Sequence, residues 1–365
     1  MYLYSPLRDS EPDSAKLPGQ EQKQKQKPWR HLSVVFALTV VAALAISAAL
    51  FVANAKPKSS CIHSRLRREW RTLSPSERLS YLAAAQCLTR TPSINDNGTI
   101  HDEFALLHSR IGNYSHNAAP FLPWHRYFVH LYEKALREHC GYEGSLPYWD
   151  WTLDYQNILD SPIWQKDIGF GSTATEDNPR SINGGCVTDG PFAHFTPLYY
   201  EGELNLHCLS RGFRDEATVQ RVGNLTMRPD ILQRLVLGSE ADLDRDSGSM
   251  VSYFDFLLRV ETASHLTIPY VVQGDFARVT APNDPVFFLH HAQVDRLWWS
   301  WQSVSAHRRN EYNGPARYND DIGARVDDVL EFGNFGENTV VVRDVMDAEK
   351  GTLCYRYDRS VLEGL

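Results

Sequence analysis

Three histidines that follow one another at short intervals are the residues of this sequence best suited to bind a metal ion. His108, His116 and His125 are separated by eight and nine residues. This spacing is typical of one histidine on a helix, a second on the following loop and a third on the next helix, with the imidazoles turned toward one point. Neutral imidazole binds copper, zinc, iron or nickel, and a metal held by such nitrogens alone keeps a position open for a small ligand.

Two adjacent histidines further along the chain, His290 and His291, lie in an apolar segment that is predicted to be a helix. Asp284 and Pro285 are typical of a helix start. Aromatic and histidine side chains then recur at steps of three and four residues, so one helix face carries them. A lone histidine in such a helix is more often held by a hydrogen bond in the core. Together with the triad upstream, the pair favours metal binding.

The segments around these histidines resemble the two copper-binding segments of the tyrosinase, catechol oxidase and haemocyanin superfamily. They are His108…His116…Phe-Leu-Pro-Trp-His125-Arg, and Asn283-Asp284-Pro285 through His291 and Asp295. In that superfamily the ligand of the second segment precedes an aspartate by four residues, which points to His291 rather than His290. The resemblance covers about residues 70–357 and implies two copper ions that react with O₂ beside a phenolic ring.

One histidine that this resemblance implies for the second copper is absent. The superfamily supplies two histidines four residues apart on one helix turn, whereas this chain has His265 followed by Pro269. Proline has no metal-binding atom and is expected to end the helix turn. We expect His290 and Asp295 to lie beside the ligands, with Asp295 orienting the ring of His291. The predicted ligands are His108, His116, His125, His265 and His291, and the remaining donor is left open among His194, His207, His290 and water.

The elements that must position these residues predict a mainly α fold. We expect a four-helix bundle to hold the two metals, with long surface loops and a few short strands. The first pair of helices is predicted at about 102–109 and 122–139. Residues 155–250 are rich in Gly, Pro, Asp and Ser and are predicted to be loops over the bundle, the usual place for substrate selection. Short strands are predicted at 326–330 and 339–342.

The N-terminal residues predict a membrane anchor. Residues 1–31 are polar and predicted to be disordered, whereas 32–53 form an uncharged run long enough to cross a bilayer as a helix. A cleaved signal peptide is the alternative, because Ala53-Asn54-Ala55 has the form of a cleavage site. The apolar run is longer than the ~7–15 residues usual in signal peptides, which favours the anchor. The predicted segments beyond it are a linker at 54–69, a copper-binding domain at 70–357 and a tail at 358–365.

Three glycosylation sequons and six cysteines follow the apolar run. An even number of cysteines without CxxC spacing, beside the sequons, predicts two or three disulfides in an oxidising compartment. The N-terminus is then cytosolic and the domain lumenal or extracellular. The net charge of −8, without a basic patch, gives no indication of nucleic-acid binding. The predicted glycosylation sites are Asn97, Asn113 and Asn224.

The resemblance implies a membrane-anchored dicopper oxidase that oxidises a phenol or catechol with O₂. Anchored fungal members of the superfamily that tailor natural products such as cyclic-peptide toxins are similar in outline, which implies a tyrosine-containing peptide or a secondary metabolite as substrate. Leu266 occupies a position where phenol-hydroxylating members often carry an asparagine. The alternative, which rests on Pro269, is a metal-altered or non-catalytic homologue.

Overall fold

The computed structural model describes most of the chain after residue 60. The chain divides into two units, 1–57 and 58–365. The predicted tail and anchor lie outside the described residues, apart from Val40. The described part contains no helix that is both long and apolar enough to cross a bilayer. Described are Val40, Cys61, and residues 64–93, 98–172, 181–238, 251–335 and 339–363, with the backbone alone at 112–114.

The second unit is mainly helical, as predicted. Four helical segments form the bundle: Ile100–Ser115, Phe121–Cys140, Val286–Ser303, and Tyr253–Arg259 continued into Leu266–Val272 by a π-helical turn at Val260–His265. The helices, in chain order, are α1 (Pro75–Leu88), α2 (Ile100–Ser115), α3 (Phe121–Cys140), α4 (Glu216–Thr226), α5 (Pro229–Leu237), α6 (Tyr253–Arg259), α7 (Leu266–Val272), α8 (Val286–Ser303), α9 (Ala306–Asn310) and α10 (Val342–Val345).

The strands are short and pair two by two. β1 pairs with β8 in parallel, and the pairs β2–β5, β3–β4 and β6–β7 are antiparallel. The pieces predicted at 326–330 and 339–342 contain β6 and β7. The strands are β1 (Arg65–Arg67), β2 (Gly185–Cys186), β3 (Tyr199–Tyr200), β4 (Glu203–Leu204), β5 (Ser210–Arg211), β6 (Val329–Leu330), β7 (Val340–Val341) and β8 (Tyr355–Tyr357).

The stretch predicted as loops, 155–250, contains two helices, α4 and α5. The Asp215 carboxylate accepts a hydrogen bond from the Thr218 N–H and so caps α4, while Pro229 occupies the first turn of α5. Both are helix-start signals that the sequence displays. Leu232 and Val236 of α5 are buried in the core. The prediction of loops alone was therefore wrong for this part of the stretch.

Three disulfides cross-link the second unit, and they use all six cysteines of the chain. The prediction of two or three disulfides is confirmed. One joins the ends of α1 and α3, and another ties Cys61, four residues before β1, to Cys354, the residue before β8. The pairs are Cys61–Cys354, Cys87–Cys140 and Cys186–Cys208.

The two central helices, α3 and α8, pack against each other through stacked aromatic rings. The rings of Tyr132 and Phe288 lie parallel, with centroids 3.4 Å apart. This packing sets the rotation of both helices about their axes. His291 lies one turn after Phe288 on α8, and His125 lies two turns before Tyr132 on α3. The two histidine rings face each other, with centroids 4.2 Å apart and an angle of 9° between their planes. The stacked aromatic core thus brings the two predicted metal-binding segments side by side.

Pro269 does not end the helix in which it lies, contrary to the prediction. The π-helical turn at Val260–His265 leads into α7, which continues past Pro269 to Val272. Pro269 lies inside this continuous helical run, four residues after the π-helical turn ends, and it lacks the N–H that would bond back toward that turn. π turns are rare and often occur at functional sites. Here the turn ends at His265 and presents that side chain to the bundle interior.

Candidate metal centre

The first three histidines meet at one point, on the elements that their spacing predicted. His108 lies on α2, His116 follows the end of α2, and His125 lies on the first turns of α3. One nitrogen from each of the three rings lies within 4.8 Å of the corresponding nitrogens of the other two. His108 and His125 are buried, and His116 is half-buried.

Backbone carbonyls fix the orientation of two rings of this triad. Nδ1 of His108 donates to the Val279 carbonyl at 2.6 Å, and Nδ1 of His125 donates to the Phe121 carbonyl at 2.8 Å. Each Nε2 is then an acceptor, and the two Nε2 atoms face each other at 3.4 Å. Two lone pairs repel at this distance unless a cation lies between them. Two nitrogens bound tetrahedrally at ~2.0 Å are separated by about 3.3 Å, so the pair fits a metal ion.

A second triad forms from His265, His290 and His291. One nitrogen of each ring lies within 4.8 Å of the others, and all three residues are buried. His265 Nδ1 donates to the Glu261 carbonyl at 3.3 Å, which leaves Nε2 free to face the other rings. The nitrogens of His290 and His291 have no hydrogen-bond partner among the described residues. Buried polar atoms without a partner are costly, and a metal ion at this point would satisfy them.

Of the donors left open for the second site, the structure places His290 beside His265 and His291. His207 is engaged elsewhere: its Nε2 bonds to the Asp275 carboxylate at 2.7 Å and its Nδ1 to the Asn205 carbonyl. His194 is exposed and lines a different cavity. We expected His290 to lie beside the ligands. In the structure its ring nitrogen instead converges with those of His265 and His291, as a ligand would. Its ring stacks on that of His265, with centroids 5.2 Å apart.

Asp295 makes no hydrogen bond to His291, whose ring nitrogens have no partner among the described residues, so the predicted orienting hydrogen bond was wrong. Its carboxylate instead accepts hydrogen bonds from Arg126 and from the hydroxyls of Tyr355 and Tyr357, the latter at 2.6 Å. These partners come from α3 and β8, far away in sequence. Asp295 therefore joins the bundle to the C-terminal strand rather than orienting a ligand histidine.

Replacing Asp295 with asparagine is expected to lower the free energy of unfolding by about 3–5 kcal/mol, because Arg126 is then left buried without its counter-charge. Urea denaturation of the purified domain measures this loss. The control is Asp230→Asn, which breaks an exposed ion pair with Arg228 and should change stability little. Equal stability losses in both variants would contradict the role of Asp295, as would a loss of copper from correctly folded Asp295→Asn protein.

Burial keeps five of the six triad histidines neutral. It lowers the pKa of His108 and of His290 to about 3. Burial, reinforced by the neighbouring histidines, also holds the pKa values of His125, His265 and His291 well below 6.5. Neutral imidazole is the form that binds a metal. At physiological pH these histidines are therefore ready to bind copper without first losing a proton.

Glu261 is a buried acid beside the site that sequence reasoning did not single out. Its carboxylate accepts the Asn117 N–H, with distances of 2.8 and 3.0 Å to its two oxygens. Burial raises the pKa of Glu261 to about 8, against the lowering effect of that hydrogen bond. Such a group can hold or release a proton near neutral pH. Its position four residues before His265, on the same helix face, was the available signal.

Both triads open into one cavity of about 470 Å³. Its walls include histidines of both triads and the apolar side chains of Pro269, Phe276 and Phe287. The ring of Phe287 lies 4.2 Å from that of His291, so an aromatic face borders the second triad. A cavity of this size admits an aromatic ring together with a side chain.

The predicted glycosylation sites remain predictions. Asn224 is exposed on α4, and its side-chain amide donates to the Gln220 carbonyl at 2.8 Å. Asn97 lies outside the described residues, and so does the side chain of Asn113.

Comparison with known proteins gives the family. Residues 98–304 match the family model "common central domain of tyrosinase". The chain is 43% identical over 300 residues to tyrosinase ustQ of Aspergillus flavus, covering 81% of this chain and 80% of that protein. It is 42% identical over 308 residues to the tyrosinase-like protein phomQ2 of Diaporthe leptostromiformis, covering 83% of this chain and 75% of that protein.

A solved structure supports the same family assignment. A polyphenol oxidase variant from Thermothelomyces thermophila superposes with a TM-score of 0.68 at 27% identity, covering 88% of this chain and 95% of that one. Two histidine triads that face one cavity, within this fold, are consistent with a binuclear copper site. The resemblance inferred from the two histidine segments is confirmed. This chain belongs to the tyrosinase family and is a tyrosinase-like copper oxidase.

Proposed function

We propose that this enzyme holds one copper ion on each triad and oxidises a phenol or catechol with O₂. The first triad is His108, His116 and His125; the second is His265, His290 and His291. The observation that carries the proposal is the formation of two buried or half-buried histidine triads, five of whose six imidazoles line a single cavity. In this assignment His290 takes the part of the histidine that Pro269 replaces. The second site then keeps three nitrogen donors, which argues against the metal-altered alternative.

The chain's own residues have defined tasks in this reaction. Copper, when bound, supplies the redox chemistry by which electrons from the aromatic ring pass to O₂. Phe287 offers an aromatic surface against which the ring of the substrate packs beside His291. Glu261 does not line the cavity; its carboxylate accepts the backbone N–H of Asn117, which does, and so holds that part of the wall in place. The aromatic core around the triads excludes water from the sides of the site that face the bundle.

The substrate in this proposal is a phenolic group attached to a larger molecule, such as a tyrosine-containing peptide or a secondary metabolite. Two apolar residues that line the cavity, Leu266 and Tyr318, are also exposed to solvent, at 48% and 58%. Exposed apolar side chains at a cavity mouth supply contact area for a molecule that extends beyond the cavity. Oxidation of a tyrosine-containing peptide, followed by mass spectrometry, tests this part.

We also propose that residues 32–53 anchor the enzyme, with the copper-binding domain on the lumenal or extracellular side. The uncharged run and the sequons that follow it support this arrangement. The expected result is a protein that resists alkaline carbonate extraction of membranes and shifts in size after endoglycosidase treatment. A protein that carbonate releases would contradict the anchor.

Copper content is the decisive measurement. The purified enzyme should bind about two copper ions per chain and oxidise 4-methylcatechol with consumption of O₂. Addition of hydrogen peroxide should produce the near-ultraviolet absorption of a coupled copper pair. One copper ion per chain, or zinc, without that absorption and without oxidation would support a metal-altered homologue instead.

A further inference from the structure

Arg278 stands at the cavity that both triads share, and it is the one permanently charged side chain among the described residues that line it. Burial keeps four of the five histidines of the wall neutral, and no described acid lines the cavity. Arg278 directly precedes Val279, whose carbonyl binds His108 Nδ1, so its backbone is anchored to the first triad. A charged group on an incoming molecule therefore meets a fixed positive charge.

The present partner of Arg278 is one that a ligand can displace. Its guanidinium donates to the Glu201 carboxylate at 3.1 Å, and the two side chains are 39% and 51% exposed. Exposed ion pairs of this kind contribute little, because water screens both charges. The Glu201 backbone N–H bonds to the Thr280 hydroxyl at 3.3 Å, so the β3–β4 turn is tied to the loop of Arg278. Arg278 is thereby kept at the cavity while its charge stays accessible.

The surroundings favour an anion carried on an apolar body. Val279 and Leu266 line the cavity and are 41% and 48% exposed, so they add accessible apolar surface to the cavity that Arg278 lines. A guanidinium binds a carboxylate through two parallel N–H donors, which sets both distance and direction. An ammonium group at the same point would be repelled.

We propose that Arg278 forms a carboxylate subsite, and that the preferred substrates are phenols or catechols with a carboxylate on the chain attached to the ring. The subsite acts on binding alone: the carboxylate replaces Glu201 as the partner of Arg278, and no bond is made or broken there. This inference rests on the proposed oxidase function and names the class of substrate for that site.

The test compares three catechols on the copper-loaded, full-length enzyme: 3-(3,4-dihydroxyphenyl)propionate, neutral 4-methylcatechol and the amine dopamine. The readout is the ratio of kcat/KM for the acid to that for 4-methylcatechol. In Arg278→Gln this ratio should fall about tenfold, the size of one charge-assisted hydrogen bond. The ratio for dopamine should rise or stay level, and the preference for the acid should weaken with added salt.

Two further variants sharpen the test. Glu201→Gln removes the competing carboxylate and should raise the ratio for the acid about two- to threefold, the size of an exposed ion pair. Arg228→Gln is the matched control, because Arg228 also pairs with an exposed carboxylate, that of Asp230, but does not line the cavity. Its ratio should equal that of the unmodified enzyme.

Opposite shifts in Arg278→Gln and Glu201→Gln support the subsite. An unchanged ratio in Arg278→Gln, or equal losses for the acid and 4-methylcatechol, would overturn it while the oxidase function stands. An unmodified enzyme that fails to oxidise 4-methylcatechol would overturn the oxidase function and the subsite with it.

Discussion

Replacing His290 with alanine should lower bound copper from about two ions to about one per chain and reduce oxidation of 4-methylcatechol at least about hundredfold. Loss of a hydrogen-bond partner of a metal ligand typically costs about 10–100-fold, and loss of a ligand itself should exceed that range. The second triad would keep only His265 and His291. Copper analysis and O₂ uptake on the same preparation measure both quantities.

A matched control shows whether the effect is local. His194→Ala removes an exposed histidine that lines a different cavity. It should leave copper content and activity unchanged. Circular dichroism of the His290→Ala protein should show an intact helical fold, because cross-linking disulfides and the aromatic core remain. If His290→Ala keeps two copper ions and full activity, His290 is not a ligand, and another donor must complete the second site.

Restoring the missing histidine should rescue the loss. Pro269 lines the same cavity as His290, and the family resemblance places a copper ligand at its position. In the double variant His290→Ala, Pro269→His, bound copper should return toward about two ions per chain, with partial recovery of oxidation. Recovery is favoured because α7 already continues past this position and needs no new backbone. A double variant that stays at one copper ion would show that position 269 is out of reach of the second metal.

The histidine that completes the second triad could not be chosen from the sequence, for a physical reason. Adjacent residues on a helix do not share a face, so periodicity argues against His290 and His291 facing one point. In the structure the ring of His265, at the end of a π-helical turn, lies near both rings, with centroids 5.2 Å from His290 and 5.0 Å from His291. No residue pattern in the sequence predicts this π-helical turn. The spacing of His108, His116 and His125, by contrast, reflects a simple helix–loop–helix, which the sequence was sufficient to predict.

The contacts of Asp295 also could not be predicted from the sequence, because its partners are distant along the chain. Its position one turn after His291 suggested a local hydrogen bond. Its actual partners, Arg126, Tyr355 and Tyr357, lie 60 or more residues away in sequence, and only the packing of α3, α8 and β8 brings them together. Local signals, such as Asp215 before α4, were present in the sequence and simply outweighed by the Gly- and Pro-rich composition around them.

Acid should unfold the copper-free enzyme sharply below about pH 6.5. Seven buried histidines have pKa values lowered chiefly by burial, and each binds a proton only on unfolding, where its pKa is about 6.5. The stability that they provide is therefore complete above pH 6.5 and is lost as the pH falls toward their folded values, about 3 where resolved. They are His101, His108, His125, His130, His265, His290 and His291.

The expected size is large. One pH unit below 6.5, each histidine whose folded pKa is about 3, namely His108, His130 and His290, costs about 1.4 kcal/mol. Two groups oppose the trend, because they bind protons better when folded: Glu261, whose pKa burial raises, and His207. Burial alone would lower the pKa of His207, but its hydrogen bond to Asp275 and that carboxylate's charge raise it. The three histidines with a folded pKa of about 3 together lose about 4 kcal/mol, and the other four act in the same direction, so the loss is large beside a domain stability of about 5–15 kcal/mol.

Urea denaturation at about pH 7 and about pH 5.5, with a chelator present, measures this loss, because ordinary carboxylates do not titrate in that window. Copper should move the acid transition to lower pH, since a bound metal excludes protons from the triad nitrogens. His139→Gln, which removes an exposed histidine, should show the same pH dependence as the unmodified protein. A copper-free protein whose stability stays level or rises between pH 7 and 5.5 would show that its triads already hold protons when folded. Metal binding would then require the loss of those protons, and copper affinity would fall steeply with pH in the same range.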